Sequence, residues 1–235
     1  METDLARSFP KRDSVLPRVI PEGWFQWKED LYEKHGVQLS MSYQSLFQST
    51  SASKTLTGND AAWMGWALLE GEWEMFNRNE DYQGGVVAAL DWRNTLGGKA
   101  IPGLWGNRDL GSQWPTDFAY IDWDPWFPVL YWQQWFKQDV FVLRVGNQVV
   151  NHILDFMRFK DPRVAFSGSP LTAPGGSMPF PGPGFSASFK WWPVEGEKFY
   201  VVGTANDQNF ETEDLTWGNA LSEGDFFYAL EVGNN

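Results

Sequence analysis

The sequence predicts an all-β fold: an antiparallel transmembrane β-barrel with a short N-terminal helix and long loops. Three observations carry it. Residues 37–49 alternate, with Val37, Leu39, Met41, Tyr43 and Phe47 on one face and Gln38, Ser40, Ser42, Gln44 and Gln48 on the other. Period-2 alternation sets an apolar face against a wet one. Residues 63–76 repeat the pattern with charge. Trp63, Gly65, Ala67, Leu69, Gly71, Trp73 and Met75 share one face, and Glu70, Glu72 and Glu74 stack on the other. Three carboxylates in a ladder repel one another, so that face is expected to be hydrated. The third observation is length. Segments such as 37–49 and 63–76 exceed the ~5–6 residues of ordinary strands and fit the ~9–11 or more of a membrane barrel. Bulky aromatics stand near their ends, as at Trp63 and Trp73.

The elements follow in order. Residues 1–22 read as a linker or disordered lead, and residues 23–235 as one barrel domain. Within the lead, 1–21 hold three prolines and scattered charges. Trp24, Trp27 and Leu31 then recur at helical spacing over 24–34, with Gly36 placed to cap the end. Strands are predicted at 37–49, 63–76 and 85–96, joined by polar, turn-rich 50–60 and 77–83. Residues 97–124 are rich in Gly, Pro and Trp and read as a long loop. Residues 126–136 fit no single element: Trp132, Trp135 and Phe136 suit a helix, while Pro128 suits only its first turn. Strands return at 140–149, 185–192, 199–207 and 226–232. Between them, 155–184 hold too many prolines and glycines for continuous pairing and read as a long loop, over or inside a pore. Seven strands are therefore visible. Bacterial barrels use even numbers and a bilayer forbids unpaired edges. Further strands are expected, from the rest of a longer chain or from another copy.

Composition narrows the function classes. The 235 residues hold 30 acidic and 18 basic side chains, which disfavours nucleic acid as a partner. Cysteine is absent, which fits export as well as it fits many cytosolic chains. Fifteen Trp, 18 Phe and 7 Tyr suit either the aromatic girdles of a barrel or a sugar-stacking surface. No run reaches the ~18 apolar residues of a membrane helix, which leaves barrels open. Residues 1–19 lack the apolar core of a signal peptide. An exported barrel is then expected to have lost its signal from this numbering or to be an incomplete chain.

At Tyr131-Trp132-Gln133-Gln134-Trp135-Phe136 and Val140-Phe141-Val142-Leu143-Arg144-Val145-Gly146 the sequence resembles the carbohydrate-selective, OprB-type porins of Gram-negative outer membranes. Those proteins show a strand ending in Arg-x-Gly, then an Asp-containing loop and a Pro-rich stretch, here Asn147, Asp155-Phe156, Phe166 and 170–183. The opening Gly23-Trp24 helix leading to Gly36-Val37 and Tyr43 is similar too, as is the end, where 199–207 precede a strand carrying Glu231. The resemblance spans about residues 23–233. It implies a 16-stranded sugar-passing barrel, of which this chain is an incomplete or N-terminal portion. The chain departs from the family in its lack of a signal sequence, of a closing half and of a C-terminal aromatic residue.

Alternation places Glu70, Glu72, Glu74, Asp91, Arg93, Arg144, Lys190 and Glu231 opposite apolar sets. A midplane Arg or Lys facing lipid costs about 2–4 kcal/mol, so these eight are expected to line the pore and contact solutes. For each alone, plain lumen solvation competes, and Asp91 with Arg93 suits wall stabilisation. Trp105, Trp114, Trp123, Trp126, Trp132 and Trp135 fit a sugar slide only if exposed in line; interface anchoring or burial explains them as well. Adjacent Trp191 and Trp192 must diverge, so one faces inward.

Chemistry-bearing patterns are sparse. His35 and His152 share no metal-ligand spacing, and neither a cysteine nucleophile nor a Gly-x-Ser-x-Gly elbow occurs. Asp122 and Asp124, flanking Trp123, are the one pair suspected of glycoside hydrolysis. Residues 206–209 suit a polar turn better than a calcium loop. The expectation is a non-enzymatic outer-membrane porin, without cofactor or metal, passing carbohydrates and small solutes by diffusion. Its partners would be outer-membrane lipid and the strands that complete the barrel, with no nucleic acid. A soluble β-rich carbohydrate-binding or carbohydrate-cleaving protein is the alternative.

Overall fold

In the computed structural model every strand pairs with its neighbours in sequence, and the structure describes residues 22–51, 58–113, 117, 119–137, 139–154, 180–194, 199–209, 215 and 217–234. Helix α1 (Glu22–His35) leads into β1 (Val37–Ser49), β2 (Ala61–Phe76) and β3 (Gly84–Thr95). Helix α2 (Pro102–Asp109) precedes β4 (Trp123–Lys137) and β5 (Phe141–Gln148). Helix α3 (Val150–Ile153), β6 (Gly184–Trp191), β7 (Phe199–Asp207), α4 (Trp217–Glu223) and β8 (Phe226–Asn234) complete the described elements. The sheet is an antiparallel meander in the order β1 to β8, and β1 and β8 are its edges. It is an open sheet rather than a closed barrel.

Connections alternate in length. At one end, 77–83, 138–140 and 192–198 are the short connections. At the other, 50–60, 96–122, 149–183 and 208–225 are the long links. Asn77, Asn79 and Asp139 take left-handed backbone in the short turns, a conformation these side chains tolerate.

The helix before β1 forms as its spacing predicts. Gly36 adopts φ +70° and donates its N–H to the Tyr32 carbonyl; a Cβ there would meet the Glu74 carbonyl oxygen at 2.5 Å. That geometry admits glycine alone and turns the chain directly into β1.

Eight strands form where seven were predicted, and the missed one is β4. Its Trp132, Trp135 and Phe136 have helical spacing, but Trp132 meets Phe76 across the sheet, while Trp135 stacks on Trp192. Pro125 and Pro128 are tolerated because β4 pairs with β5 only from Leu130 onward. The proline-bearing part therefore has no ladder to break on that side, and its pairing with β3 is irregular around Asp91. The loop predicted over 97–124 is also corrected: it contains α2, and its last residues already belong to β4. In the loop predicted over 155–184, Gly184 opens β6, while 155–179, like 1–21, lie outside the described residues.

One face of the sheet, here the outer face, carries exposed Met41, Tyr43, Phe47, Leu69, Trp73, Trp92, Tyr228, Leu230 and Val232. The other, the inner face, is covered in two places. On β1 and β2, Ala119 and Tyr120 bury Met64 and Trp66, and Trp105 buries Ala62. Helix α3 with Leu154 and Phe180 packs on Tyr200, Val202, Phe227 and Ala229 of β7 and β8.

Candidate functional site

Cross-strand register decides which side chains share the inner face, because directly paired residues point the same way. Glu70, Glu72 and Glu74 pair with Ala89, Val87 and Gly85, and Asp91 pairs with Leu68. Gln133 pairs with Arg144, Lys190 with Val202, and Val202 with Glu231. All eight charged residues singled out by alternation stand on this one face. Their surroundings differ sharply.

Asp91 and Arg93 are two apart on β3 and form a bidentate pair, with Arg93 Nε donating to Asp91 Oδ1 at 2.9 Å and Nη2 to Oδ2 at 2.6 Å. The Arg93 guanidinium lies between the Trp66 and Trp123 rings, 4.1 and 4.4 Å from their centroids, and Nη1 donates to the Ala119 carbonyl. Arginine suits this place because its planar fork can stack and bond in two directions at once. The pair ties Ala119 to the sheet. It is nine-tenths buried.

The glutamate ladder departs from the hydrated face predicted for it. Glu74 is 3 % exposed and accepts a hydrogen bond from the Tyr32 hydroxyl of α1, and Glu70 is also buried. Burial first, then the Glu74 carboxylate and its hydrogen bond, hold the Tyr32 hydroxyl above the usual tyrosine range. Glu72 remains half-buried and accepts from Gln133 Nε2 at 3.4 Å, while Arg144 Nε donates to Gln133 Oε1 at 2.9 Å. Gln133 thus joins an acid on β2 to a base on β5. Sequence reasoning missed it because β4 was not recognised as a strand; continuing the alternation back from Trp135 finds it.

On the far side, Lys190 Nζ lies 4.9 Å from the Trp192 ring centroid and 5.1 Å from that of Tyr200. The Tyr200 hydroxyl donates to Glu231 Oε1 at 2.6 Å. Between the charged groups runs a neutral polar patch: Ser188 Oγ donates to Gln148 Oε1 at 2.7 Å, and Asn206, paired with Ser186, is fully buried. The sequence reading missed this patch as well. Its signal was Ser186 and Ser188 at alternate positions of β6.

The inner face therefore presents graded polarity: a locked ion pair against one wall, a Glu72–Gln133–Arg144 chain in the middle, and a Lys190–Tyr200–Glu231 group near the β8 edge. Comparison with protein-family models, curated proteins and solved structures gave no match.

The other suspected residues fall elsewhere. Trp105, Trp126 and Trp135 are buried, Trp132 faces outward, and Trp114 lies outside the described residues, so the described rings form no exposed line. Trp192 is the inward member of its pair, stacked on Trp135, and Trp191 is exposed on the outer face. Asp122 and Asp124 are both exposed, with Asp122 accepting from Thr95 Oγ1. At 206–209, Asp207 Oδ1 accepts the Asn209 N–H, the geometry of a polar turn. His35 closes α1 and His152 lies exposed on α3.

Proposed function

We propose that this chain forms the wall of a water-lined membrane β-barrel through which small solutes, sugars preferred, diffuse passively. One observation carries the reading: away from the strand ends the outer face holds no charged residue and is graded along its height. Small and aliphatic side chains occupy the middle, with Ala67, Leu69, Gly71, Ala88, Leu90, Leu130, Val145, Ala187, Gly203 and Leu230 in neighbouring register positions. Aromatics mark the ends. Phe47, Trp63, Trp92 and Phe127 lie toward the long links, and Trp73, Phe76, Phe136, Trp191 and Phe199 toward the short turns. Tyr43 and Tyr228 stand between the two belts. A lipid-facing band flanked by aromatic girdles has this grading, and so does the alternation of short turns with long loops. A soluble domain rarely exposes contiguous apolar surface on this scale.

The location that follows is the outer membrane of a Gram-negative bacterium, and the sequence resemblance to sugar-selective porins supplies the preferred solute. In this reading the strands belong to a 16-stranded barrel. Selectivity rests on lumen width and on the polar side chains of the inner face, chiefly Glu72, Arg144, Lys190 and Glu231. Diffusion needs no cofactor, energy source or chemical step.

Planar-bilayer recording of the purified chain, with and without glucose or maltodextrin, tests the reading. Discrete channels that sugar blocks are expected, with ion preference shifted toward cations in Arg144→Ala. A protein that stays soluble and monodisperse without detergent would overturn the proposal in favour of a soluble sugar-binding domain.

A further inference from the structure

The sheet keeps Glu72 and Arg144 apart. They stand on β2 and β5, with β3 and β4 between them. Adjacent strands are spaced about 4.8 Å, so about 14 Å of sheet separates the two backbones. Gln133 on β4 spans the gap. Its partner in the β3–β4 register is Gly85, so no side chain stands between the amide and β2. A Cβ at Gly85 would run into the Trp73 carbonyl, and the position admits glycine alone.

The amide is oriented by what lies at its two ends. Arg144 Nε donates to Gln133 Oε1, and Gln133 Nε2 donates to Glu72 Oε1. Turned over, it would set N–H against guanidinium and oxygen against carboxylate. Arg144 uses only Nε in this bond. Among the described residues neither of its terminal nitrogens has a hydrogen-bond or ion-pair partner, and the side chain is half-buried on the inner face. Its Cζ lies 5.8 Å from the Tyr131 ring centroid, and Tyr131 shares a row with Glu72 through Val87. A direct ion pair would occupy the guanidinium fork with the carboxylate, as Asp91 occupies that of Arg93. Here one neutral amide fixes the fork and leaves its outer N–H groups for another acceptor.

We propose that Gln133 is the positioning residue of a sugar subsite in which Arg144 donates through its terminal nitrogens, Glu72 accepts and Tyr131 carries the ring of a pyranose; the inference rests on the sugar preference of the reading above. The chemistry of the site names the ligand. A hydroxyl both donates and accepts, so neighbouring hydroxyls of one sugar can accept from the guanidinium and donate to the carboxylate. The two charges sum to zero, which favours a neutral solute over an ion of either sign. The Tyr131 ring beside Arg144 offers a flat apolar surface to the C–H face of the sugar.

Titration calorimetry with maltose tests the subsite on the full chain, in detergent micelles and in plain buffer. The natural chain is expected to bind. Gln133→Met keeps the length and loses both bonds, and should weaken binding about tenfold, the equivalent of one hydrogen bond to a charged group. Arg144→Lys keeps the charge without the fork and should weaken it as much. The decisive variant exchanges the ends, Glu72→Arg with Arg144→Glu. Turning the Gln133 amide over restores both of its bonds, so the double variant should regain most of the affinity that each single variant loses. Denaturant unfolding of the same variants isolates a merely structural role, which would move stability and leave maltose affinity unchanged. That result, an exchange without rescue, or a natural chain that binds no maltose would each overturn the subsite. Channels that form without maltose binding would do so while leaving the barrel reading standing. Maltose binding by a chain soluble without detergent would sink the barrel and support the subsite.

Discussion

Away from the strand ends, the outer face of β1–β8 repeats one chemistry from edge to edge, while the inner face changes from strand to strand. Outside, in the middle of the sheet, a Leu, Ala or Val can stand for its neighbour because these positions share one small-to-aliphatic chemistry. Inside, Arg93, Arg144 and Lys190 are three cations in three settings: stacked between indoles, bonded to an amide, and held over two rings. The outer face is specified by what it excludes, and the inner face by particular partners. A substitution outside should therefore act through transfer energy alone, whereas one inside should act through the group it leaves behind.

The sharpest break of that contrast is Arg93→Ala. Removing the guanidinium leaves Asp91 buried without its ion-pair partner, a change that costs about 3–5 kcal/mol at buried sites. It also frees the Ala119 carbonyl and separates the Trp66 and Trp123 rings. Denaturant unfolding in detergent should show the loss, and limited proteolysis should cut within 99–120 before the strands. An equally protected segment would mean that Met64, Trp66 and Tyr120 hold it without the ion pair.

Next comes one substitution placed on each face. On the membrane-barrel proposal, Leu69→Arg, at mid-height outside, should cost about 2–4 kcal/mol in a bilayer. Ser42→Arg, at similar height inside, should on the same proposal cost under about 1 kcal/mol, since a lumen would hydrate it. Equal costs would erase the difference between the faces and with it the membrane reading.

The smallest effect belongs to α1. Tyr32→Phe removes the hydrogen bond to Glu74 and should loosen the helix by about 1 kcal/mol at neutral pH. The tyrosine's hydroxyl is easier to keep protonated when folded than when unfolded. Its contribution is thus complete below the unfolded tyrosine value of about 10, and declines as pH rises from there through the higher folded value. Hydrogen exchange of α1 amides should accelerate above that pH in the natural protein, with a smaller step in Tyr32→Phe.

How far the sequence foretold this structure depended on whether each strand announced its face. β1 was legible to its end residues because apolar and polar positions alternate along it with only Ser45 and Leu46 out of phase, and β7 because an apolar run ends in the polar Asn206 and Asp207. The eight charged residues were legible as one face for the same reason. β4 was not. Its tryptophans occur on both faces, so no alternation exists to be read, and its prolines argue against pairing unless one knows that β5 stops short of them. Nor could alternation foresee that Glu74 would be buried, since the helix covering it owes its position to a turn at Gly36. Pattern reveals the side of a sheet; what later folds onto that side is decided by tertiary contacts.

The uneven connections also bear on how the sheet assembles. A hairpin across a short turn closes cheaply, and each doubling of a loop adds only about 0.6 kcal/mol of entropy. β2–β3, β4–β5 and β6–β7 can therefore form first as three local hairpins in microseconds, with β1 and β8 added at the flanks. No strand must wait for a partner distant in sequence, which keeps the contact order of the sheet low. The two outermost strands, β1 and β8, are then the last to join the sheet.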